Sequence, residues 1–280
     1  MIATNLMVDG RDATGHDGRP DIEFVAVEKR IGDSVLLSDL SLTIRRGERV
    51  ALIGPSGAGK TTLLRLIAGV LWPSSGEVRV LGRTTGTLHG RELCRLRQQI
   101  GLLYQQDNLV PGLRVAHNVL IGRLGKWSVW KALWSLLRPQ EVHRAHAALE
   151  RVELGSRLWA LPGELSGGEQ QRVAIARLLV QEPSILLADE PASSLDIRLG
   201  REVVQLLLGV ASAENTTVVS LHTLDLLSTG FDRVIALREG RVVHDGPPDS
   251  LTRDLLRTIY GTEYQTLHLD ELPLQGEARA

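Results

Sequence analysis

Two hydrophobic periods alternate along the chain. Short apolar runs of the kind that form buried strands are separated by longer stretches in which apolar positions return at helical spacing. From Asp21 the pattern is β: Ile22-Glu23-Phe24-Val25-Ala26-Val27 is rich in β-branched and apolar residues. A turn follows at Gly32-Asp33-Ser34, and Leu40-Ser41-Leu42-Thr43-Ile44 alternates apolar and polar positions. Arg49-Val50-Ala51-Leu52-Ile53 reads as a fully buried strand, and 62–69 as a helix stopped by Gly69. Beyond a turn at Pro73-Ser74-Ser75-Gly76, Glu77 to Gly82 is a short strand, 89–97 a polar helix, and Ile100 to Gln106 a buried strand ending in a polar pair. Residues 114–161 are mainly helical. An amphipathic helix over 171–179 leads to the strand Ile185-Leu186-Leu187-Ala188 and the acids Asp189-Glu190, then a helix over 200–211 and the strand 216–221. A last strand pair, 233–237 and 241–244, turns at Glu239-Gly240. The first twenty residues, rich in Gly, Asp, Asn and Thr, have no period and read as a mobile leader. Periodicity fades again from about Gly261, into a loosely held polar tail. Alternating strands and helices predict an α/β fold: a mostly parallel sheet, with an antiparallel β layer in front and a helical subdomain inserted.

Within the helical segment, Trp127, Trp130 and Trp134 fall at i, i+3 and i+7, on one helical face. They suit either the core of a small subdomain or an apolar docking surface. After Pro139, a second helix over 141–152 carries His143 and His146. No third ligand accompanies them, so a solvated face is expected, as it is for His16 and Asp17 in the leader.

Composition narrows the classes. A chain of 280 residues with 43% hydrophobic content can bury a substantial core. Aromatics are 4% and the net charge is −1, which argues against broad base-stacking surfaces and a basic field, hence against nucleic acid as partner. The lone Cys94 permits no internal disulfide and fits a reducing cytosol. No apolar run approaches the roughly 18 residues that span a bilayer, and the start lacks the pattern of a secretory signal. Any membrane role is expected to run through a partner.

The chemistry concentrates at a few strand ends. Gly54-Pro55-Ser56-Gly57-Ala58-Gly59-Lys60-Thr61-Thr62 fits G-x-x-x-x-G-K-[ST], between a buried strand and a helix. Small residues let backbone N–H groups close on phosphate oxygens, and the helix N-terminus adds a partial positive charge. Lys60 is expected at the β/γ-phosphates of a nucleoside triphosphate and Thr61 on Mg²⁺. Asp189 and Glu190 end a hydrophobic strand, at the sheet edge where ligands sit in open α/β folds. There Asp189 is expected to hold Mg²⁺ opposite Thr61, and Glu190 to act as general base toward water. Ser166, followed by Gly167, Gly168 and Glu169, spells a capping box, and its glycine-rich helix start is a possible second anion site. His222 follows the strand 216–221, where it is either a turn residue or a donor to a γ-phosphate.

The phosphate loop, Gln105, Leu165-Ser166-Gly167-Gly168-Glu169-Gln170, the Ile185–Glu190 strand and His222 stand in one order. Together they resemble the ATP-binding subunit of ABC transporters, over roughly residues 21–250. The resemblance implies a phosphate-loop NTPase fold, ATP and Mg²⁺, and a head-to-tail pair of subunits, each ATP lying between one chain's phosphate loop and the other's Ser166–Gly168. It implies that Gln105 attends the metal with Thr61 and Asp189, that Glu190 activates water, that His222 senses the γ-phosphate and that Asp196 lies at the dimer seam. It places Gln105 and the helical segment after it at the contact with integral membrane permeases, on the cytoplasmic face of the membrane, with an extracytoplasmic binding protein as indirect partner. The domains expected are a flexible leader (1–20), the ATPase domain (21–250, helical subdomain about 105–165) and a C-terminal helix with a loose tail (251–280).

One position departs from the pattern. Where the family usually stacks an aromatic residue on adenine, this chain has Ile31, an aliphatic contact without π stacking. The stretches 104–110, 118–125 and 220–226 are most similar to the importer subfamily for phosphonate or phosphite. The competing readings are a cassette for another cargo or for export, a soluble ABC protein acting on ribosomes or DNA, and a small-molecule kinase. The kinase leaves 165–170 and His222 unexplained. One cassette without sustained heptads or a basic field disfavours the soluble ABC protein.

Overall fold

The computed structural model describes residues 20–104, 109–193, 195–210 and 214–266. Ten strands among them form two sheets. In the first, β1 (Pro20–Ile31) pairs antiparallel with β2 (Ser34–Arg45) and with β4 (Ser75–Val80), which also pairs with β5 (Arg83–Thr84). The second sheet runs in the order β10 (Arg241–Gly246), β9 (Arg233–Arg238), β3 (Arg49–Ile53), β8 (Thr216–Ser220), β7 (Ile185–Asp189), β6 (Ile100–Leu103). It is parallel throughout except for the β9–β10 hairpin. The expected architecture, a mostly parallel core with an antiparallel layer in front, is present.

Strand alternation divides the interior in two. Val50 and Leu52 of β3, with Ile185 and Leu187 of β7, face a core shared with the antiparallel sheet, α1 (Lys60–Ile67) and α2 (Gly90–Gln98). Their neighbours Ala51, Ile53, Leu186 and Ala188 face the opposite core. That second core is filled by α3 (Val115–Leu120), α5 (Val142–Arg151), α6 (Gly167–Gln181), α7 (Ile197–Val210) and α8 (Arg253–Tyr260). It runs without a break from the central sheet into the helical segment.

The remaining helix, α4 (Val129–Leu137), differs from the expectation of three tryptophans on one face. Ser128 is its N-cap, accepting from Lys131 N–H at 3.3 Å, so Trp127 lies before the helix. Trp127 packs against the core, its indole N–H donating to Glu141 at 3.1 Å. Lys131 covers the Trp127 ring at 4.9 Å and pairs with Glu141 as well. Trp130 and Trp134 instead point outward, 83% and 58% exposed, with Leu133 between them. The row is thus split: Trp127 belongs to the core and the other two form an apolar surface. Among shorter corrections, α7 begins three residues before the expected start and β6 ends at Leu103, with Tyr104 exposed beyond it. Residues 261–266 form a 3-10 turn in which Tyr264 packs under Arg257.

Candidate nucleotide site

β3 runs in the interior of the sheet between β8 and β9, so its carboxyl end is fixed on both sides. The chain leaves it at Gly54 with φ 142°, and a Cβ there would lie 2.1 Å from the carbonyl oxygen of Leu237 on β9. Only glycine fits. The tip of the β9–β10 hairpin presses on the same loop. Gly240 N–H donates to Ala58 O at 3.2 Å and Gly240 O accepts from Ser38 N–H at 2.9 Å. A Cβ on Gly240 would sit 2.6 Å from Leu36 O. On the outer side, a Cβ on Gly57 would meet nothing within 4 Å, which is the room phosphate oxygens need. Gly59 precedes α1 and has no side chain to cap it, leaving the helix N-terminus to an anion.

Lys60 opens α1 and is only 6% exposed. A buried ammonium needs partners. It donates to Gly54 O at 2.8 Å and Pro55 O at 3.3 Å, and lies 3.6 Å from Glu190 Oε1.

The acids at the end of β7 meet the loop through the neighbouring strand. Thr61 Oγ1 donates to Asp189 Oδ1 at 3.1 Å, and Ser220 Oγ donates to the same oxygen at 2.8 Å. Ser220 Oγ also accepts from Glu190 N–H at 2.8 Å. Glu190 has φ +47°, a left-handed conformation that non-glycine residues adopt at a cost. Its carbonyl accepts from Ser193 N–H at 3.2 Å, which closes the turn after the strand. Thr61 and Asp189 thus bring two oxygen donors together beside the loop, a pair that fits Mg²⁺.

The other expected residues take separate places. Ser166 caps α6, accepting from Glu169 N–H at 3.3 Å, while the Glu169 carboxylate accepts from Ser166 N–H at 2.9 Å and Oγ–H at 2.8 Å. Those bonds, backbone first, and nearby Arg157 hold the Glu169 carboxyl below its ordinary value. A Cβ on Gly168 would meet Leu199 Cδ2 at 2.7 Å, so the start of α6 lies closely on α7. None of the described bonds of Ser166–Gly168 reaches the phosphate loop. Asp196 caps α7, accepting from Leu199 N–H at 2.9 Å, and shares the walls of a small cavity of about 70 Å³ with His222, which is exposed. Ile31, at the end of β1, is 58% exposed. Gln105 lies outside the described residues.

Two residues that sequence reasoning passed over join the site. Ser220, at the carboxyl end of β8, bridges both acids, and the two threonines of the same strand leave its hydroxyl without a distinguishing signal in the sequence. Tyr260, on α8, places its hydroxyl oxygen 3.2 Å from Gly54 N as the acceptor of that N–H.

Comparison with known proteins agrees with this geometry. Residues 37–193 match the family described as ABC transporter. The chain is 45% identical over 228 residues to the phosphonates import ATP-binding protein PhnC of Pseudomonas fluorescens, covering 81% of this chain and 86% of that protein. To the protein of the same description in Pseudomonas putida it is 44% identical over 256 residues, covering 91% and 94%. An ATP-binding cassette solved as a dimer in a post-hydrolysis state, bound to ADP and Pi, superposes with a TM-score of 0.69 at 34% identity, over 81% of this chain and 98% of that one. A nucleotide-free cassette from an ABC transporter superposes with a TM-score of 0.72 at 23% identity, over 86% and 94%, a likeness of fold.

Proposed function

The chain belongs to the ABC transporter family, and from that premise we propose that it is the ATP-binding and hydrolysing subunit of an importer. The proposed cargo is a small oxyanion, a phosphonate or phosphite, moved through separate membrane subunits. The observation that carries the ATPase reading is the convergence of Lys60, Thr61, Asp189 and Glu190 on one loop. The cargo rests on the relatives, which are described as phosphonate import proteins. Among the described residues no helix is long and apolar enough to cross a membrane, in keeping with a peripheral subunit on the cytoplasmic face. The proposed partners are a second copy of the chain, integral permeases and, through them, an extracytoplasmic binding protein. We place part of the permease contact at Gln105 and the helical segment after it, where Trp130, Leu133 and Trp134 are exposed.

In this reading the backbone N–H groups of residues 57–62 enclose the phosphates, and Lys60 moves its ammonium onto the β/γ-oxygens. Thr61 and Asp189, with Gln105, would hold Mg²⁺, which would supply charge neutralisation to the phosphates. Glu190 takes the proton of the attacking water, and His222 donates toward the γ-phosphate. Ser166, Gly167 and Gly168 of a second copy close the phosphates from the other side, with Asp196 at the seam. Ile31 covers the base.

The test is Glu190→Gln. It keeps ATP binding and lowers turnover by about 10²–10⁴-fold, the usual contribution of a general base; full turnover in this variant would falsify the assignment. The cargo is tested by uptake of labelled phosphonate and phosphite in a strain deleted for the chain, which is expected to lose one or both.

A further inference from the structure

The C-terminal helix reaches into the nucleotide site. Tyr260, the last residue of α8, is 6% exposed, and its ring packs in the core that also holds Leu256 and Ile259. Its hydroxyl oxygen accepts the N–H of Gly54 at 3.2 Å. The carbonyl of Gly54, one atom group further along, accepts from Lys60 Nζ at 2.8 Å. Both polar groups of this glycine are therefore engaged by side chains, one from each end of the domain. Its Cα is meanwhile walled by Leu237. α8 itself is fixed to the same strand, because the Arg238 guanidinium donates to Thr258 O. Burial pushes the Tyr260 phenol well above its ordinary value, so it stays neutral and the contact does not change with physiological pH.

We propose that Tyr260 is a positioning residue of the phosphate loop: by accepting the Gly54 N–H it fixes the Ile53–Gly54 peptide and with it the backbone torsions at Gly54, so that the carbonyl of the next peptide faces Lys60 and the N–H groups beyond Pro55 face phosphate. The inference rests on the ATPase reading above. The physical argument is the cost of the alternative. Without the hydroxyl, the Gly54 N–H is buried without an acceptor and bears the full cost of its lost hydration. The loop escapes that cost by turning the peptide. Turning it changes the torsions at Gly54, which swings the next carbonyl away from Lys60 and lowers the fraction of chains whose loop is competent for nucleotide, and apparent affinity falls by the same fraction.

The experiment compares the full-length wild type with Tyr260→Phe and Leu256→Ala. ATP dissociation constants are measured with Mg²⁺ present, with steady-state KM and kcat, and with amide hydrogen exchange of the 50–60 segment in protein without nucleotide. Tyr260→Phe is expected to raise Kd and KM for ATP by about three- to tenfold, the worth of one hydrogen bond. kcat should stay within about twofold, as expected when only uniform binding is lost, and exchange at the loop should quicken. Leu256→Ala loosens α8 without touching the hydroxyl; it is expected to lower Tm while leaving Kd near that of wild type. The inference is overturned if Tyr260→Phe leaves Kd and loop exchange unchanged, or if Leu256→Ala raises Kd as much as Tyr260→Phe. If the wild type itself fails to bind ATP, the ATPase reading fails. Loop exchange in Tyr260→Phe then decides the positioning role alone: quickened exchange keeps it and unchanged exchange ends it.

Discussion

Ser220 holds the two acids of the site in their relative places. Its one hydroxyl donates to Asp189 and accepts from the Glu190 backbone, so it fixes the metal-facing carboxylate and the strained turn together. Ser220→Ala leaves the Glu190 N–H without that acceptor, and frees Asp189 to follow Thr61 alone. Turnover is expected to fall about tenfold, corresponding to roughly 1.4 kcal/mol of transition-state stabilisation. KM for ATP should stay within about twofold, because Lys60 and the loop are untouched. Steady-state kinetics on the purified variant check this, and a rise in KM with unchanged kcat would count against it. Gly54 to Thr62, Asp189 and Glu190 were legible in the amino-acid order because their chemistry is spelled locally, by spacing and by the flanking strand and helix. Ser220 and Tyr260 were not. Their partners lie 31 and 206 residues away, and hydrophobic pattern carries no signal for a single hydroxyl bond across the fold.

Elements were easier to read than their faces. The strands of the parallel sheet stand close to where apolar runs placed them, because a strand buried on both sides is mostly apolar, the hydroxyls of β8 being the exception. The tryptophan row failed for a local reason: Ser128 starts α4 after Trp127, so helical spacing does not extend back to it. The start of α6 was read correctly as a capping box and makes a pH prediction. The Glu169 carboxyl has its pKa depressed in the folded chain by Ser166 and then Arg157. Its contribution to stability is therefore complete above the ordinary value of 4.5 and is lost as pH falls through the lower folded value. Glu169→Gln keeps a capping side chain without a titrating group. Urea midpoints of wild type should drop more steeply below pH 4.5 than those of Glu169→Gln, and parallel curves would contradict the linkage.

At the scale of the whole molecule, Ser166–Gly168 and the phosphate loop belong to the same chain without sharing a described bond. If the catalytic unit is a pair of chains, ATPase rate per chain should rise with protein concentration until the dimer saturates. Glu190→Gln should elute as a dimer with ATP and as a monomer with ADP in size-exclusion chromatography. A rate per chain that is flat across concentrations spanning a monomeric elution would mean that one chain builds the site alone.

The brace on Gly54 also places the site in time. A ribosome adds about 5–20 residues per second, so the 206 residues between Gly54 and Tyr260 take roughly 10–40 s to appear. The hairpin tip at Gly240, which presses on Ala58, comes almost as late. A nascent chain holds its phosphate-binding motif early, but the clasp on it can close only when nearly all of the domain has been made. Chains truncated before Tyr260 should accordingly expose a loop that captures nucleotide poorly. Order in the phosphate loop is thus tied to the synthesis of residues more than two hundred positions downstream.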